Sequence, residues 1–353
     1  MKHSLLEILA CPYCRGPLGL KVFSMRGKEV EDGILLCVGC KNAFPIIACI
    51  PRMLPALMIN PQTLKTFLQK HAGKIPDNFM NNGPEDFGKL KKKTSKSFGF
   101  QWNVFSTMFG EYEDNFLRYI SPLSKTFFRK KLVLDAGCGF GRHTYYAAKY
   151  GAEVVGFDLS DAVEAAYRNC GRMPNVHIVQ GDIYSLPFRK VFDFTMSIGV
   201  IHHLPDPKKG FLSLAGNMKK NSRILVWIYG KEGRTFKTVI LEGTIRRATV
   251  RMPQKLLYYF CYIPAGVYHF SNGLYNFFSR FKSTTGLAKK LPFKNYARFP
   301  FRVKLADAYD FLGTPVNNYY TREDCEEWAA VSGLRDTSVV SLGGRSWKIF
   351  GKK

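Results

Sequence analysis

Residues 133–160 read VLDAGCGFGRHTYYAAKYGAEVVGFDLS. An apolar run at Leu132–Leu134 leads into Gly137, Gly139 and Gly141, and a helix-length stretch follows before a second apolar run, VVGFD. That succession is a strand, a tight loop, a helix and a second strand. Glycine suits a loop that must turn sharply and let a ligand approach its backbone. The dinucleotide fingerprint is G-x-G-x-x-G, with a pyrophosphate on the helix N-terminus. Here the pattern is G-x-G-x-G, and Arg142 stands where the third glycine of that fingerprint belongs. Asp135, at the end of the first strand, would repel a pyrophosphate and attract a cationic amino group. S-adenosylmethionine offers such a group, a positive sulfonium and no phosphate.

Two further acids fit that ligand. Asp158 ends the second strand, where a carboxylate can accept both ribose hydroxyls. Asp182, in QGDIYSLPF, follows the third strand and can accept the adenine amino group, with Ile183 beside the ring. The intervals of 23 and 24 residues between these acids each match one strand–helix unit. A single aspartate at such a place is commonly a helix cap, but three at corresponding places point to a ligand. Gly137, Gly139, Gly141, Arg142, Leu159 and Ser197 complete the expected cofactor crevice.

The chain continues the alternation from Leu132 to Tyr229. Strands are expected at 132–136, 153–157, 176–179, 192–197 and 223–229, and helices at 141–150, 161–170 and 207–219. Such alternation implies a parallel sheet covered by helices on both faces. After an insertion from 230 to about 320, a helix is expected at TREDCEEWAAVSG (321–333), with Thr321 and Asp324 as its N-terminal cap. Two closing strands follow, DTSVVSL and SWKIFG.

The N-terminal 56 residues carry Cys11-Pro-Tyr-Cys14 and Cys37-Val-Gly-Cys40. Each pair has the spacing of a metal knuckle, and two knuckles complete a tetrahedron around zinc. A closed four-thiolate site leaves no position for substrate, so the zinc is expected to be structural. Between the pairs, short strands with turns at Gly27 and Asp32-Gly33 are expected. Nine cysteines and no signal-peptide pattern in MKHSLLEILACPYC point to a reducing cytoplasm. Residues 57–126 read as linker and cap, with NNGP (81–84) and Lys91-Lys92-Lys93 as flexible linker. Within them the aromatic SFGFQWNVF (97–105), including Trp102, reads either as a helix packed on the core or as a flap over the ligand.

Taken together, VLDAGCGFGRHT, GFDLS, GDIYSLPF and FDFTMSIGVIHHLPDP resemble the motif series of class I S-adenosylmethionine-dependent methyltransferases. The resemblance implies an α/β fold, a doubly wound, mostly parallel seven-stranded sheet, over residues 127–353 with a helical insertion at 231–320. LEILACPYCRGPL…LLCVGCKNAFPIIACIPRML resembles a small zinc-ribbon family whose members activate partner methyltransferases. The expected domains are therefore ribbon (1–56), linker and cap (57–126) and methyltransferase (127–353).

Methyl transfer is an in-line displacement in which the protein mainly aligns the acceptor. His202 and His203 follow the fourth strand, at the edge where such sheets bind ligands. The resemblance favours His203 as a base, and both histidines can equally serve to shape the pocket. Tyr319 and Tyr320 are substrate-side candidates. The loop SIGVIHHL lacks the [ND]-P-P-[YF] of enzymes that methylate exocyclic amino groups or amides. On that ground a small-molecule or lipid acceptor is expected.

The net charge of +25 calls for an anionic partner. Residues 231–304 hold 15 Lys/Arg and two acids, while 256–279 hold no charged residue and many aromatics. That composition suggests a helical lid over a hydrophobic anionic substrate, with contact at the inner face of a membrane. An RNA methyltransferase is the alternative, nucleic acid being placed second for want of a recognisable RNA-binding module. A non-catalytic, partner-docking cofactor binder is the third reading.

Overall fold

The computed structural model describes residues 1–76, 79, 88–233, 236–291, 297 and 299–353, with the backbone alone for 236–242. The NNGP stretch expected as linker at 81–84 lies outside the described residues. The chain opens with α1 (Leu5–Ile8) and an antiparallel run of β1 (Leu18–Arg26), β2 (Glu29–Cys37), β3 (Ala43–Ile47) and β4 (Ile50–Met53). Three helices follow: α2 (Pro61–Lys70), α3 (Lys89–Val104) and α4 (Tyr112–Ile120). The alternating part comprises β5 (Leu132–Ala136), α5 (Arg142–Lys149), β6 (Glu153–Asp158), α6 (Ala162–Ala166), β7 (Val176–Gly181), β8 (Phe194–Ile198), α7 (Pro207–Gly216) and β9 (Arg223–Tyr229). After the helical insertion α8 (Phe236–Thr249), α9 (Gln254–Phe260), α10 (Tyr262–Phe278), α11 (Thr285–Lys290) and α12 (Phe301–Gly313), the chain closes with α13 (Arg322–Val331), β10 (Arg335–Ser341) and β11 (Ser346–Lys352).

The eleven strands of the described residues lie in one sheet, in the order β1-β2-β3-β4-β7-β6-β5-β8-β9-β11-β10. The seven strands from β7 to β10 are the expected sheet, parallel except for the β11 and β10 pairings. The ribbon adds four more, because β4 runs parallel to β7 through Arg52↔Gln180 and Met53↔Gly181. Central strands buried on both faces read as unbroken apolar runs, which is why β5 to β9 fell where the sequence put them. The core is shared: Leu9, Leu18, Leu35 and Phe44 of the ribbon belong to one buried cluster with Leu134, Phe157, Val179 and Phe188.

Arg52 locks the seam from inside. It is 1% exposed; its guanidinium donates to Gln180 Oε1 at 3.0 Å and to Glu164 Oε1. Arg15 donates to the carbonyls of Leu186 and Phe188, tying the first cysteine knuckle to the same body.

Several expectations change. Lys91-Lys92-Lys93 are not linker but part of α3, which has no acidic residue along its length. Asp32-Gly33 is not a turn but a bulged stretch of β2. Gly33 pairs with Val22, and a Cβ there would come within 2.6 Å of the Lys21 carbonyl. The Asp32 carboxylate accepts from Ala48 N at 3.1 Å, Lys70 Nζ at 2.6 Å and His71 Nε2 at 3.1 Å. The helix expected at 161–170 ends as α6 and continues as one π-turn, Tyr167–Gly171. The cap of α13 is as expected: Thr321 N donates to Asp324 Oδ2 at 2.8 Å, and Asp324 N donates to Thr321 Oγ1.

Residues 234–315 form a second compact unit. Within it α12 packs on its fellow helices, with Thr249 Oγ1 donating to the Leu312 carbonyl at 2.7 Å and Tyr309 fully buried. The uncharged stretch 256–279 breaks at Cys261 into α9 and α10. No helix among the described residues is long and apolar enough to cross a membrane.

Replacing Arg52 by alanine is expected to destabilise the fold by about 3 kcal/mol, since it strands Gln180 and Glu164 at a buried seam. Urea unfolding should show the lower midpoint, and metal analysis should show zinc retained; an unchanged midpoint would mean that the seam holds without this side chain.

Candidate cofactor crevice and zinc site

The glycine loop joins β5 to α5 and is pinned to β6, because Gly137 N and Cys138 N both donate to the Phe157 carbonyl. Gly137, Gly139 and Gly141 have φ of +87°, +54° and +86°, a region that side-chain-bearing residues rarely enter. Their surroundings are also full. A Cβ would lie 2.3 Å from Val200 at the first glycine, 3.3 Å from Trp102 at the second and 2.9 Å from Cys170 Sγ at the third.

The three acids stand at the carboxyl ends of neighbouring strands. Asp135 is 1% exposed, accepts from Thr144 Oγ1 at 2.7 Å, and is pushed up to about 7 by burial, with Asp158 adding repulsion. Asp158 accepts from Gly139 N at 3.0 Å and from Ser160 N and Oγ at 2.8 and 2.6 Å. Burial raises its pKa also. Asp182 accepts from Tyr184 N at 3.1 Å and from Lys91 Nζ at 2.7 Å. Ile183 is buried beside it, and Leu159 follows Asp158 with its carbonyl accepting from Gln180 Nε2 at 3.1 Å. Arg142 lies over Tyr112, Phe140 and Trp102, with its guanidinium carbon 5.5–5.9 Å from the ring centres. Ser197 is fully buried and donates to the Ala136 carbonyl at 2.8 Å, so it fastens β8 to β5.

On the far side of the loop, His202 and His203 form a single turn after β8. His203 Nδ1 is 2.8 Å from the Val316 carbonyl. A carbonyl only accepts, so the proton sits on Nδ1 and Nε2 of the neutral ring carries the lone pair. His202 is fully buried and stacks on Tyr229, with ring centres 3.8 Å apart. Tyr319 also stacks on Tyr229, whereas Tyr320 turns inward onto Trp328. The structure thus separates the tyrosine pair and gathers His202, His203, Tyr229 and Tyr319 at one place. Phe98 and Trp227 join that group, 5.0 Å from His203 and 5.4 Å from Tyr229.

Trp227 and Tyr229 were not among the expected site residues, Lys91 was expected only as linker, and Phe98 only as part of the aromatic stretch read as packed helix or flap. Trp227 and Tyr229 are two apart on one strand and so share a face, and Phe98 and Trp102 are four apart on one helix. Those spacings were the available signal.

The four ribbon cysteines bring their sulfurs within 4.8 Å of one another. Cys11–Cys40 and Cys14–Cys37 are 3.5 and 3.3 Å apart, near the edge of about 3.8 Å that zinc–sulfur bonds of about 2.3 Å give a tetrahedron. Arg15 and Lys41, each just after a knuckle, take φ of +64° and +60° and return their amides to the Cys11 and Cys37 carbonyls. Gly16 and Gly39 leave room beside Cys14 Sγ, where a Cβ would lie 3.2 and 3.7 Å away. The donor set fits zinc, and the cysteines outside it are all buried.

Residues 134–226 match the family described as "Methyltransferase domain", and residues 2–47 match the family described as "Trm112p-like protein". Two proteins named tRNA U34 carboxymethyltransferase are similar to this chain. That of Psychromonas ingrahamii is 32% identical over 118 residues, covering 32% of this chain and 34% of that protein. That of Vibrio cholerae is 30% identical over 135 residues, 37% of each. The chain thus spans about a third of the length of these relatives. Among solved structures, the complex of the Haloferax volcanii Trm112 methyltransferase activator with a putative methyltransferase is 11% identical, covering 73% of this chain and 96% of that one, with a TM-score of 0.43.

These relatives overturn the expectation of a small-molecule or lipid acceptor, with nucleic acid in second place. A missing [ND]-P-P-[YF] argues only against amino and amide nitrogens as acceptors, and says nothing about other atoms of a nucleotide.

A cation beside Asp135 favours its ionised form, so cofactor affinity should fall as pH drops below about 7 and level off above it. Asp135→Asn is expected to weaken S-adenosylmethionine binding tenfold or more at pH 8. The sign for stability is opposite. The raised folded pKa costs nothing below the unfolded value of 3.8, accrues a penalty as pH rises from there to about 7, and holds that penalty above it. The same variant should therefore melt higher than wild type at pH 8 and alike at pH 4; calorimetry that finds its affinity unaltered removes Asp135 from the crevice. In the ribbon, Cys11→Ser or Cys40→Ser should release zinc and lower the melting temperature of the whole first unit, because the core is shared. One zinc per chain retained in both variants would contradict the four-thiolate site.

Proposed function

We propose that this chain, a methyltransferase domain carried behind a Trm112p-like zinc ribbon, is an S-adenosylmethionine-dependent enzyme that acts on RNA, with tRNA as the first substrate to test. The observation that carries the reading is the match of about a third of the chain to proteins named tRNA U34 carboxymethyltransferase. The charge supports it, since a chain of net +25 attracts a polyphosphate.

When bound, S-adenosylmethionine supplies a methyl group already activated by its sulfonium. In this reading Asp135 faces the cationic amino-acid end, Asp158 accepts the ribose hydroxyls, and Asp182 with Ile183 meets the adenine. Gly139 brings the backbone close without obstruction. His203, held by Val316, offers Nε2 to a proton leaving the acceptor. Phe98 and Tyr319 present flat rings on which an extruded base can stack, with Tyr229 backing Tyr319. The aromatic wall keeps water from the line between acceptor and methyl group.

Incubation with methyl-labelled S-adenosylmethionine, tRNA, rRNA and extracted lipids should put the label in a nuclease-sensitive fraction. His203→Ala should lower the transfer rate by about 10²–10⁴ and leave cofactor affinity within twofold. Label in lipid with none in RNA would reject the reading, and a variant as fast as wild type would reject His203 as the base.

A further inference from the structure

Helix α3 joins the outer surface to the crevice, and its two faces differ in chemistry. At about 100° per residue, Lys91, Phe98 and Trp102 fall within about 40° of one another, and Lys89, Lys92, Lys93 and Lys96 lie within about 100° on the opposite side. The contacts agree with that division. Lys91 Nζ meets Asp182 at 2.7 Å and lies 4.4 Å from the centre of the Tyr184 ring. Phe98 stands 5.0 Å from His203, and Trp102 lies over Gly139 and 5.2 Å from Phe140. One helix thus touches the group assigned to adenine, the loop assigned to the cofactor backbone and the candidate base. Lys89, Lys92, Lys93 and Lys96 are all exposed, and no acid on the helix offsets them.

We propose that this lysine face of α3 is the docking strip for the phosphate backbone of the RNA substrate. The proposal rests on the RNA reading above and says where that RNA sits. Four cations at steps of three, one and three form two adjoining rows about 10 Å long, which favours a repeating anion over a single one. Docked there, a backbone lies about one helix diameter, 10–12 Å, from the aromatic group around His203. A base swung out of its stack then enters past Phe98, so the same helix holds the backbone and borders the entry. The anchoring of α3 keeps the strip in register with the chemistry: Asn103 Nδ2 donates to the Asp161 carbonyl at 2.8 Å, and Gly99 packs so closely on Asp161 that a Cβ would lie 3.2 Å from its amide.

The test replaces Lys89, Lys92, Lys93 and Lys96 together by glutamine, which preserves helix propensity. A control variant with the same charge loss replaces the exposed Lys28, Lys65, Lys190 and Lys220 by glutamine. Binding of tRNA is measured from 50 to 300 mM salt, with cofactor affinity measured alongside. The α3 variant should bind tRNA at least tenfold more weakly, with a log–log salt slope shallower by about 3, about 0.7–0.9 for each phosphate that the helix no longer neutralises. Its cofactor affinity should equal that of wild type, and the control should stay within threefold. Equal losses in both variants, or none in the α3 variant, would overturn the docking strip while wild-type labelling of RNA left the functional reading standing. Loss of binding to phosphatidylglycerol vesicles with RNA binding intact would overturn it in favour of a lipid surface. Wild type that neither binds nor labels RNA would overturn both.

Discussion

A short parallel ladder holds this molecule together as a single sheet. Between β4 and β7 only Arg52↔Gln180 and Met53↔Gly181 pair, yet they make a four-stranded zinc ribbon and a seven-stranded sheet continuous. A seam so short needs side chains to hold it, and a buried guanidinium supplies them. Gln180 accepts from Arg52 and passes the connection on, donating to the Leu159 carbonyl in the loop that follows Asp158. Asn60, past the end of the ribbon, donates to Asp161 in the same loop. Arg52 of the ribbon and the loop after Asp158 are thus two hydrogen bonds apart, through Gln180, whose side chain is buried.

The loop after β6 is held from a second direction as well. Helix α3 meets it through Ser95, Gly99 and Asn103, while Asp158 itself fastens Gly139 and Ser160. A crevice built this way is organised before any ligand arrives, because the acids, the glycine loop and the covering helix restrain one another. The cost is visible in Asp135, whose carboxylate is buried near Asp158 and is reluctant to ionise despite its hydrogen bonds from Thr144.

How much could be read in the sequence followed from how local each signal was. The cysteine pairs, the glycine loop and the Thr321–Asp324 cap each lie within a few residues and carry their own geometry, so they were legible. Strands β5 to β9 were legible because both faces are buried and apolar residues dominate them. Strand β4, reading IPRM, was not, since a proline and an arginine argue against a strand and only the partner strand explains them. Helix α3 was hidden for a similar reason. Its lysine run resembles solvated linker, and the contacts that make it a helix over the crevice come from residues far along the chain. The acceptor was misjudged because a negative motif was allowed to speak for chemistry that it does not cover.

The extension of the sheet also decides what its margins look like. Without the ribbon, β7 would be an edge strand with one row of backbone groups open to pairing, the kind that recruits other chains into aggregates. With it, the margin moves out to β1, which is kinked by irregular pairing between Val22 and Met25 and carries Lys21 and Arg26. The opposite margin, β10, is short of apolar cover, with six of its seven residues exposed, and its pairing is likewise irregular near Asp336. Fusion to the four-stranded ribbon thus leaves the sheet with irregular, charged or exposed margins, the features by which edge strands resist pairing with another chain.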